Sequence, residues 1–193
     1  MIGFEFSSQL RAVLGTARVE AQRFRHPYIG TEHILLGLIR DEDGGSADVF
    51  RTLGVAREEI RQKLEETLRP GPEMIARPDL PYTARAKKVL ELTMQECVRS
   101  RAVAADTQQL LVGLCAEEKG IAAEVLRSLG ITTDAARTAV DQLSGRASEP
   151  PSQATPAPVV DSVTIEIRRS DGSVSREVLP TITDAMEYLY NQP

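Results

Sequence analysis

From Thr31 to Gly54 the chain reads TEHILLGLIRDEDGGSADVFRTLG, and from Thr107 to Gly130 it reads TQQLLVGLCAEEKGIAAEVLRSLG. About half of the paired positions are identical, and the offset stays at 76 residues with no insertion. The match extends upstream, where Phe6-Ser7 corresponds to Tyr82-Thr83. A constant offset indicates that one supersecondary unit was duplicated in register. Two copies are too few for a solenoid, so we expect them to pack together as one pseudo-symmetric domain.

The composition is that of an ordinary globular protein, with 41% hydrophobic and 26% charged residues over 193 positions. A net charge of −5 with scattered Lys and Arg argues against binding to a nucleic acid, and an aromatic share of 4% argues against base stacking. The first residues, MIGFEFSSQL, do not form a secretory signal, and no apolar run approaches the roughly 18 residues of a membrane span. We therefore expect a cytoplasmic protein without a nucleic-acid or membrane partner.

The apolar spacing of the first copy predicts four helices, at 7–25, at 31–40, at 46–53 and at about 56–68. Ser7 and Thr31 are the expected N-caps, and Gly54 is the expected C′ residue that ends the third helix. DEDGG (41–45) is expected to form a turn. The buried faces should consist of Leu10, Val13, Leu14, Ala17, Ile34, Leu35, Leu38, Ile39, Ile60 and Leu64.

The second copy predicts the same elements, at 83–100, 107–117, 120–129 and 133–144. Here Thr83 and Thr107 are the expected N-caps, and Gly130 and Gly145 close helices. The segment 69–81 carries four prolines and links the repeats. We therefore predict an all-α domain at 1–145, a pseudo-twofold double repeat of two four-helix units with repeats at about 1–69 and 82–145.

The composition changes after the second repeat. Residues 146–160 are rich in Pro, Ser and Ala and are expected to form a flexible linker. In the tail, 161–193, the alternation over Ser162–Arg169 predicts a strand, Asp171-Gly172 predicts a hairpin turn, and Thr181 is expected to cap a short helix that runs to Tyr190. A ββα piece of this size has little core of its own, so we expect it to dock on the helices or on a partner.

Motifs for the common catalytic and metal sites are absent from the sequence. There is no GxxxxGK[ST], GxSxG, HExxH or CxxC. His26 and His33 are the two histidines, and no second metal ligand stands four residues after His33. Cys97 and Cys115 lie in helical patterns and are expected to be reduced core thiols. We therefore expect no catalytic residues, no metal and no cofactor, and a protein that binds rather than catalyses.

Two segments carry a family resemblance: YIGTEHILLGLIR (28–40) and YTARAKKVLELTMQEC (82–97). In this order they closely resemble the N-terminal domain of the Clp ATPases, above all the ClpC type, over about residues 1–145. The resemblance implies a double repeat of four helices each. It also implies a receptor for the substrates and adaptors of ATPase rings that feed proteins into the ClpP protease. The chain looks like such an N-domain without the two AAA+ modules, so the function implied is non-enzymatic binding.

The resemblance further implies a pocket for phosphorylated arginine in each repeat. In ClpC-type domains an acidic residue of the TEH motif holds the guanidinium, and a Thr or a backbone amide near the first helix start helps to hold the phosphate. Such groups suit these ligands, since carboxylates pair bidentately with guanidinium and helix starts attract phosphate. The first repeat offers Glu32 with Ser7, and the second offers Thr83 with Gln108. A neutral amide loses the charge-assisted part of the bond, and Asp106 is the alternative acid.

A second surface also follows from the resemblance. In actinobacterial relatives, cyclic peptide antibiotics bind the face formed by the first helix and the start of the fifth. Gly3 and Gly15 stand where relatives usually carry larger residues. The matching positions in this chain are Phe4, Leu10, Arg11, Leu14, Tyr82 and Lys87.

The resemblance leaves several functions open. The chain is an accessory that binds substrates or the Clp machinery, or a decoy that sequesters ligands and antibiotics from the ATPase by mass action. A structural oligomerisation module is a further alternative, and an enzyme acting on arginine phosphate would need a nucleophile with a base beside it. An adaptor needs a second binding surface, whereas a decoy does not. The alternation of Val163, Ile165 and Ile167 offers a strand edge that pairs with a partner.

Overall fold

The computed structural model describes residues 6–72 and 80–144, together with the backbone of two strands. The helices are α1 (Ser8–Arg23), α2 (Thr31–Arg40), α3 (Gly45–Thr52), α4 (Arg57–Thr67), α5 (Ala84–Arg99), α6 (Thr107–Ala116), α7 (Ile121–Ser128) and α8 (Thr133–Leu143). In this part of the chain the prediction of two sets of four helices is confirmed, with each bound within two residues of its expected position.

Several predicted helix ends are confirmed in detail. The Ser7 hydroxyl accepts a hydrogen bond from the N–H of Leu10 at 2.9 Å at the start of α1. The Thr83 hydroxyl starts α5 in the same way, accepting from Ala86 at 3.1 Å. Beyond α3 and α7, Gly54 and Gly130 take φ values of 69° and 79°, the left-handed conformation that favours glycine after a helix.

The prediction that Thr31 and Thr107 are N-caps is wrong. Gly30 caps α2 and Asp106 caps α6, and both have extended backbones. The two threonines are the first residues inside their helices. A threonine before an apolar run is typical of an N-cap, but here each hydroxyl is used elsewhere.

The two threonine hydroxyls connect the repeats. Thr107 Oγ1 accepts from the backbone N–H of Ser46 in α3 at 3.2 Å, and Thr31 Oγ1 accepts from that of Ala122 in α7 at 3.4 Å. The first N–H groups of a helix have no partner within the helix. Each repeat therefore satisfies a free donor at the start of the third helix of the other repeat.

Two short parallel bridges add to this exchange. Phe6 pairs with Ala105, and Ile29 pairs with Tyr82. These bridges place the start of α1 beside the start of α6, and the start of α5 beside the start of α2. Each long first helix thus begins next to the second helix of the other repeat.

The core is centred on α2 and α6. All ten apolar positions predicted to be buried are at most 6% exposed. Cys97 and Cys115 are buried and free, as expected. Burial raises the pKa of both thiols, that of Cys115 to about 12, so both stay protonated at neutral pH.

The tail contains a hairpin of β1 (Val163–Arg168) and β2 (Val174–Leu179). The strands pair antiparallel, with Val163 opposite Leu179 and Arg168 opposite Val174. Chain contacts divide the protein into two units, with the eight helices in one and the hairpin in the other. The predicted linker at 146–160, the turn at Asp171-Gly172 and the helix from Thr181 lie outside the described residues. Within the described residues, no helix has the length and apolar character needed to span a membrane.

Candidate functional site

Glu32 is the second residue of α2 and is only 6% exposed. Its carboxylate folds back over Gly30, where an added Cβ would lie within 2.6 Å of all three carboxylate atoms. Among the described residues it receives one hydrogen bond, from the Thr31 hydroxyl at 3.4 Å. A buried carboxylate with so few donors costs free energy unless a cation pairs with it. The position therefore favours a guanidinium or ammonium group.

The helix start beside Glu32 belongs to the other repeat. The backbone N–H of Thr83 donates to the carbonyl of Ile29 at 3.0 Å, and Ile29 directly precedes Gly30. The sequence paired Glu32 with Ser7 because both lie in the first repeat. The structure instead brings Thr83 to this end of α2, since the repeats exchange their helix starts. Together with the Thr83 hydroxyl, the N-terminus of α5 suits an anionic group such as a phosphate.

The equivalent position in the second repeat is built differently. The hydroxyl of Ser7 donates to Asp106 Oδ1 at 2.7 Å, and the N–H of Thr107 donates to the same oxygen at 2.8 Å. Asp106 is the counterpart of Gly30, so its own carboxylate lies where that glycine leaves room. Gln108 lies over Gly45, where an added Cβ would be 2.6 Å from its amide nitrogen. The two positions are therefore not equivalent.

Glu117 is a residue that the sequence reasoning missed. Its Oε2 is buried and has no hydrogen-bond partner in the described part of the chain. An added Cβ on Gly120 would lie 2.4 Å from this oxygen and 2.6 Å from the hydroxyl of Thr31. The second repeat thus places the carboxylate of Glu117 near Thr31, the residue that precedes Glu32 in the sequence. The available signal was the pair Asp41 and Glu117, acids 76 residues apart that each precede a glycine by three residues.

A chain of hydrogen bonds runs through the two histidines. The N–H of Gly30 donates to His33 Nδ1 at 2.9 Å, so the proton of His33 is on Nε2 and is donated to His26 Nδ1 at 2.9 Å. His26 Nε2 then donates to the carbonyl of Arg69 at 2.8 Å. Burial, with a smaller effect of His26, lowers the pKa of His33 to about 3. His33 is therefore neutral and structural at neutral pH.

Donor atoms of His26, Glu32 and His33 lie within 4.8 Å of one another. Two imidazoles and a carboxylate are a common ligand set for zinc. The expectation of no ligand partners around His33 rested on helical spacing, and it overlooked donors seven and one residues before it. All four ring nitrogens already have partners, so a cation there would displace the proton shared by the rings. The geometry therefore fits a hydrogen-bond chain better than a metal centre.

Comparisons with known proteins identify the family. The sequence profile of the Clp repeat (R) N-terminal domain matches residues 5–119, more than half of the chain. The chain belongs to this family. The "Negative regulator of genetic competence ClpC/MecB" of Bacillus subtilis is 41% identical over 140 residues, which are 72% of this chain and 17% of that protein. The "ATP-dependent Clp protease ATP-binding subunit ClpC" of Staphylococcus saprophyticus is 35% identical over 145 residues, 75% of this chain and 17% of that protein. The Clp repeat chain thus spans less than a fifth of these relatives.

Solved structures show the same fold. The Hsp104 N-terminal domain of Candida albicans superposes with a TM-score of 0.63 at 12% identity, covering 74% of this chain and 93% of that one. The N-terminal domain of ClpD from Arabidopsis thaliana gives 0.60 at 19% identity, covering 75% and 97%. These likenesses confirm the all-α Clp repeat architecture.

The face expected to bind cyclic peptides is only partly exposed in this Clp repeat domain. Leu10 and Leu14 are 0% and 3% exposed and belong to the core. They do not present surface to a ligand, because their side chains hold α1 against its neighbours. Phe4 lies outside the described residues. The members of this face that reach the surface, wholly or in part, are Arg11, Tyr82 and Lys87.

Proposed function

We propose that this Clp repeat domain is a non-enzymatic recognition domain of the Clp protease system, binding degradation substrates or adaptors in the cytoplasm. The observation that carries the proposal is the buried Glu32 carboxylate, whose one hydrogen bond from the described residues is 3.4 Å long. This carboxylate lies where the two repeats meet, so its ligand contacts both. A relative named as the ATP-binding subunit of an ATP-dependent Clp protease supports the assignment to this system.

The ligand that suits this position best is a phosphorylated arginine side chain. Its guanidinium pairs with Glu32 through charge-assisted hydrogen bonds, and the Glu117 carboxylate near Thr31 adds negative charge on the same side. Its phosphate is then held at the start of α5, by the Thr83 hydroxyl and free backbone N–H groups. The second repeat is the weaker site, because Asp106 is already bonded to Ser7.

Titration calorimetry with a phosphoarginine peptide tests this assignment. Hydrogen bonds to charged groups contribute about 1.5–3 kcal/mol. Glu32→Ala should therefore weaken binding by roughly 10-fold or more, whereas Gln108→Ala should change it by less than about 2-fold. The same peptide without phosphate is the matched ligand control. Equal and negligible effects of the two substitutions would contradict the proposal.

A decoy that sequesters ligands from a Clp ATPase is the second candidate. It is supported by the exposed Arg11 and the half-buried Tyr82 and Lys87, which belong to the face that the resemblance assigns to cyclic peptides. Adaptor and decoy differ in whether the chain holds the ATPase ring. A pull-down with the intact chain and with a truncation after Gly145 separates them. Capture of a Clp ATPase by the intact chain alone supports an adaptor, whereas capture of clients or peptides without the ATPase by both baits supports a decoy.

A further inference from the structure

A cavity opens in the second repeat between the end of α6, α7 and the start of α8. Its volume is about 460 Å³, within the range of pockets that hold small ligands or side chains. Both charged and neutral residues form its walls. Those that matter here are Cys115, Ala116, Glu118, Arg127, Thr133 and Arg137.

The 76-residue offset identifies the residues of the first repeat that correspond to the residues lining the cavity. Thr133 corresponds to Arg57, and Ala116 corresponds to Arg40. Both arginines are engaged by the first repeat itself, and Arg40 reaches the buried carboxylate of Glu20 at 2.7 Å. In the second repeat, a threonine and an alanine replace two long cationic side chains. The cavity thus lies beside the two positions at which the second repeat lacks these arginines.

The groups that hold Arg57 identify the chemistry of this space. Arg57 Nη1 donates to the carbonyl of Ile39 at 3.3 Å, and Arg57 Nη2 lies 3.5 Å from the carboxylate of Glu42. Their counterparts are Cys115 and Glu118, and both line the cavity. The same sequence positions thus supply a carbonyl at the end of α6 and an acid beyond it, while the guanidinium is missing. The backbone is not identical, because Glu118 has a positive φ of 61° and Glu42 does not. A helix C-terminus also favours a cation.

We propose that this cavity binds the side chain of an arginine supplied by a protein partner. The guanidinium takes the place that Arg57 has in the first repeat, donating to the carbonyl of Cys115 and pairing with the carboxylate of Glu118. This site differs from the Glu32 site in position and in ligand, because it needs no phosphate. It gives the domain a second point of contact with an arginine-bearing substrate or adaptor.

The other charges around the cavity agree with a cationic ligand. Arg137 is held by the buried carboxylate of Glu96, with its Nε at 2.9 Å. Arg127 donates to the backbone carbonyl of Glu118 at 2.9 Å. Both cations are thus engaged, whereas the side chain of Asp134 is 96% exposed at the rim and lies 4.0 Å from Arg137. An incoming guanidinium meets the carboxylate of Glu118 and, at the rim, that of Asp134, which also lies at ion-pair distance from Arg137. An anion would have to compete for arginines that already have partners.

Nuclear magnetic resonance titration of the intact chain tests the proposal, with N-acetyl-arginine amide as the probe. We expect saturable shifts of the backbone amides of Cys115, Glu118 and Thr133. N-acetyl-lysine amide should bind several-fold more weakly, because a single ammonium does not match two acceptors in a fixed fork. The shifts should persist in Glu32→Ala, which separates this cavity from the Glu32 site. Sodium acetate should leave the three amides unchanged.

A matched pair of substitutions at one position controls for folding. Thr133→Arg gives the second repeat the arginine that the first repeat has, so binding should weaken at least 10-fold. Thr133→Ala leaves the cavity open and should bind as the unchanged chain does. The N-cap of α8 is Thr132, which both variants keep. Glu118→Gln should weaken binding severalfold through the lost charge.

Three results would overturn the proposal. The first is the absence of saturable shifts at the three amides. The second is equal binding by Thr133→Arg and Thr133→Ala, with melting curves showing that both are folded. The third is a response to acetate rather than to the arginine probe, which would make the cavity an anion site.

Discussion

His33 and its counterpart Gln109 perform the same structural task with different chemistry. His33 Nδ1 accepts from the N–H of Gly30 at 2.9 Å, and Gln109 Oε1 accepts from the N–H of Asp106 at 3.0 Å. The histidine is fully buried and its pKa is lowered to about 3, mainly by burial. The side-chain amide of Gln109 does not take up a proton when the pH falls below neutral. The two repeats should therefore respond differently to acid.

We expect the free energy of unfolding of the unchanged chain to fall below neutral pH. The His33→Gln substitution should abolish this fall. The folded-state pKa lies below the unfolded value near 6.5. Between pH 6.5 and 3 the unfolded chain thus binds a proton that the folded chain excludes, and stability falls as the pH falls. The free energy of unfolding should therefore fall by about 1.4 kcal/mol for each unit by which the pH is lowered in this range. Urea denaturation at pH 7, 6 and 5 measures this free energy for the unchanged chain and for His33→Gln. An equal pH dependence in the two proteins would argue against a buried neutral histidine.

At the residue scale, the family resemblance proposed Glu32 as a site residue, but it did not indicate which residues of the other repeat lie near it. The TEH motif marks the acid, and the N-terminal position in a helix suits its charge. Thr83 and Glu117 reach the same place from the other repeat, at separations that no local pattern encodes. The role of Thr31 was misassigned for the same reason, because its hydroxyl serves α7 rather than its own helix.

At the scale of helices, the close contact between α1 and α2 depends on Gly37. An added Cβ there would lie 2.5 Å from the carbonyl oxygen of Val13 and 3.0 Å from the backbone nitrogen of Ala17. These backbone atoms cannot move without separating the helices. Gly15, on α1, has nothing within 4 Å of its added Cβ. The chain therefore contains a matched control for the same substitution.

Gly37→Ala should lower the free energy of unfolding by about 1–3 kcal/mol, the usual cost of overpacking. Gly15→Ala should raise it by up to about 1 kcal/mol, because alanine is the better helix former. Both values come from chemical denaturation under the same conditions. A neutral Gly37→Ala would show that α1 and α2 pack less closely than described.

The helices themselves were predictable because their apolar residues keep a period of 3.6 and their ends carry Ser, Thr or Gly. The exceptions lie at the starts of α2 and α6. There Gly30 and Asp106 are the N-caps, one residue before the threonines that the sequence pattern favoured. At both starts the residue three positions after the N-cap, His33 or Gln109, accepts the N–H of that N-cap, so residues of the same repeat set these boundaries.

At the scale of the whole molecule, the two repeats depend on each other. Thr31 and Thr107 each cap a helix of the opposite repeat, and two parallel bridges join the helix starts. The duplication was evident from the 76-residue offset, but an offset does not say whether the copies pack side by side or exchange their ends. The proposal of a binding site shared by the repeats rests on this exchange of helix starts.

The helical domain should therefore unfold in one cooperative transition. Amide hydrogen exchange in increasing denaturant should give the same global free energy for the most protected residues of α2 and of α6. Thr107→Val, which removes a contact between the repeats, should lower both values together. A first transition confined to one repeat would contradict the mutual dependence of the repeats.

The most direct test of the central claim asks which helix start belongs to the Glu32 site. Calorimetric titration of a phosphoarginine peptide compares Thr83→Ala with Ser7→Ala, two substitutions that each remove one N-cap hydroxyl. We expect Thr83→Ala to weaken binding by roughly 3-fold or more, as loss of one hydrogen bond implies, and Ser7→Ala to leave the affinity within 2-fold of the unchanged chain. If Ser7→Ala weakened binding and Thr83→Ala did not, the site would lie within one repeat, and the account of a site shared by both would be wrong.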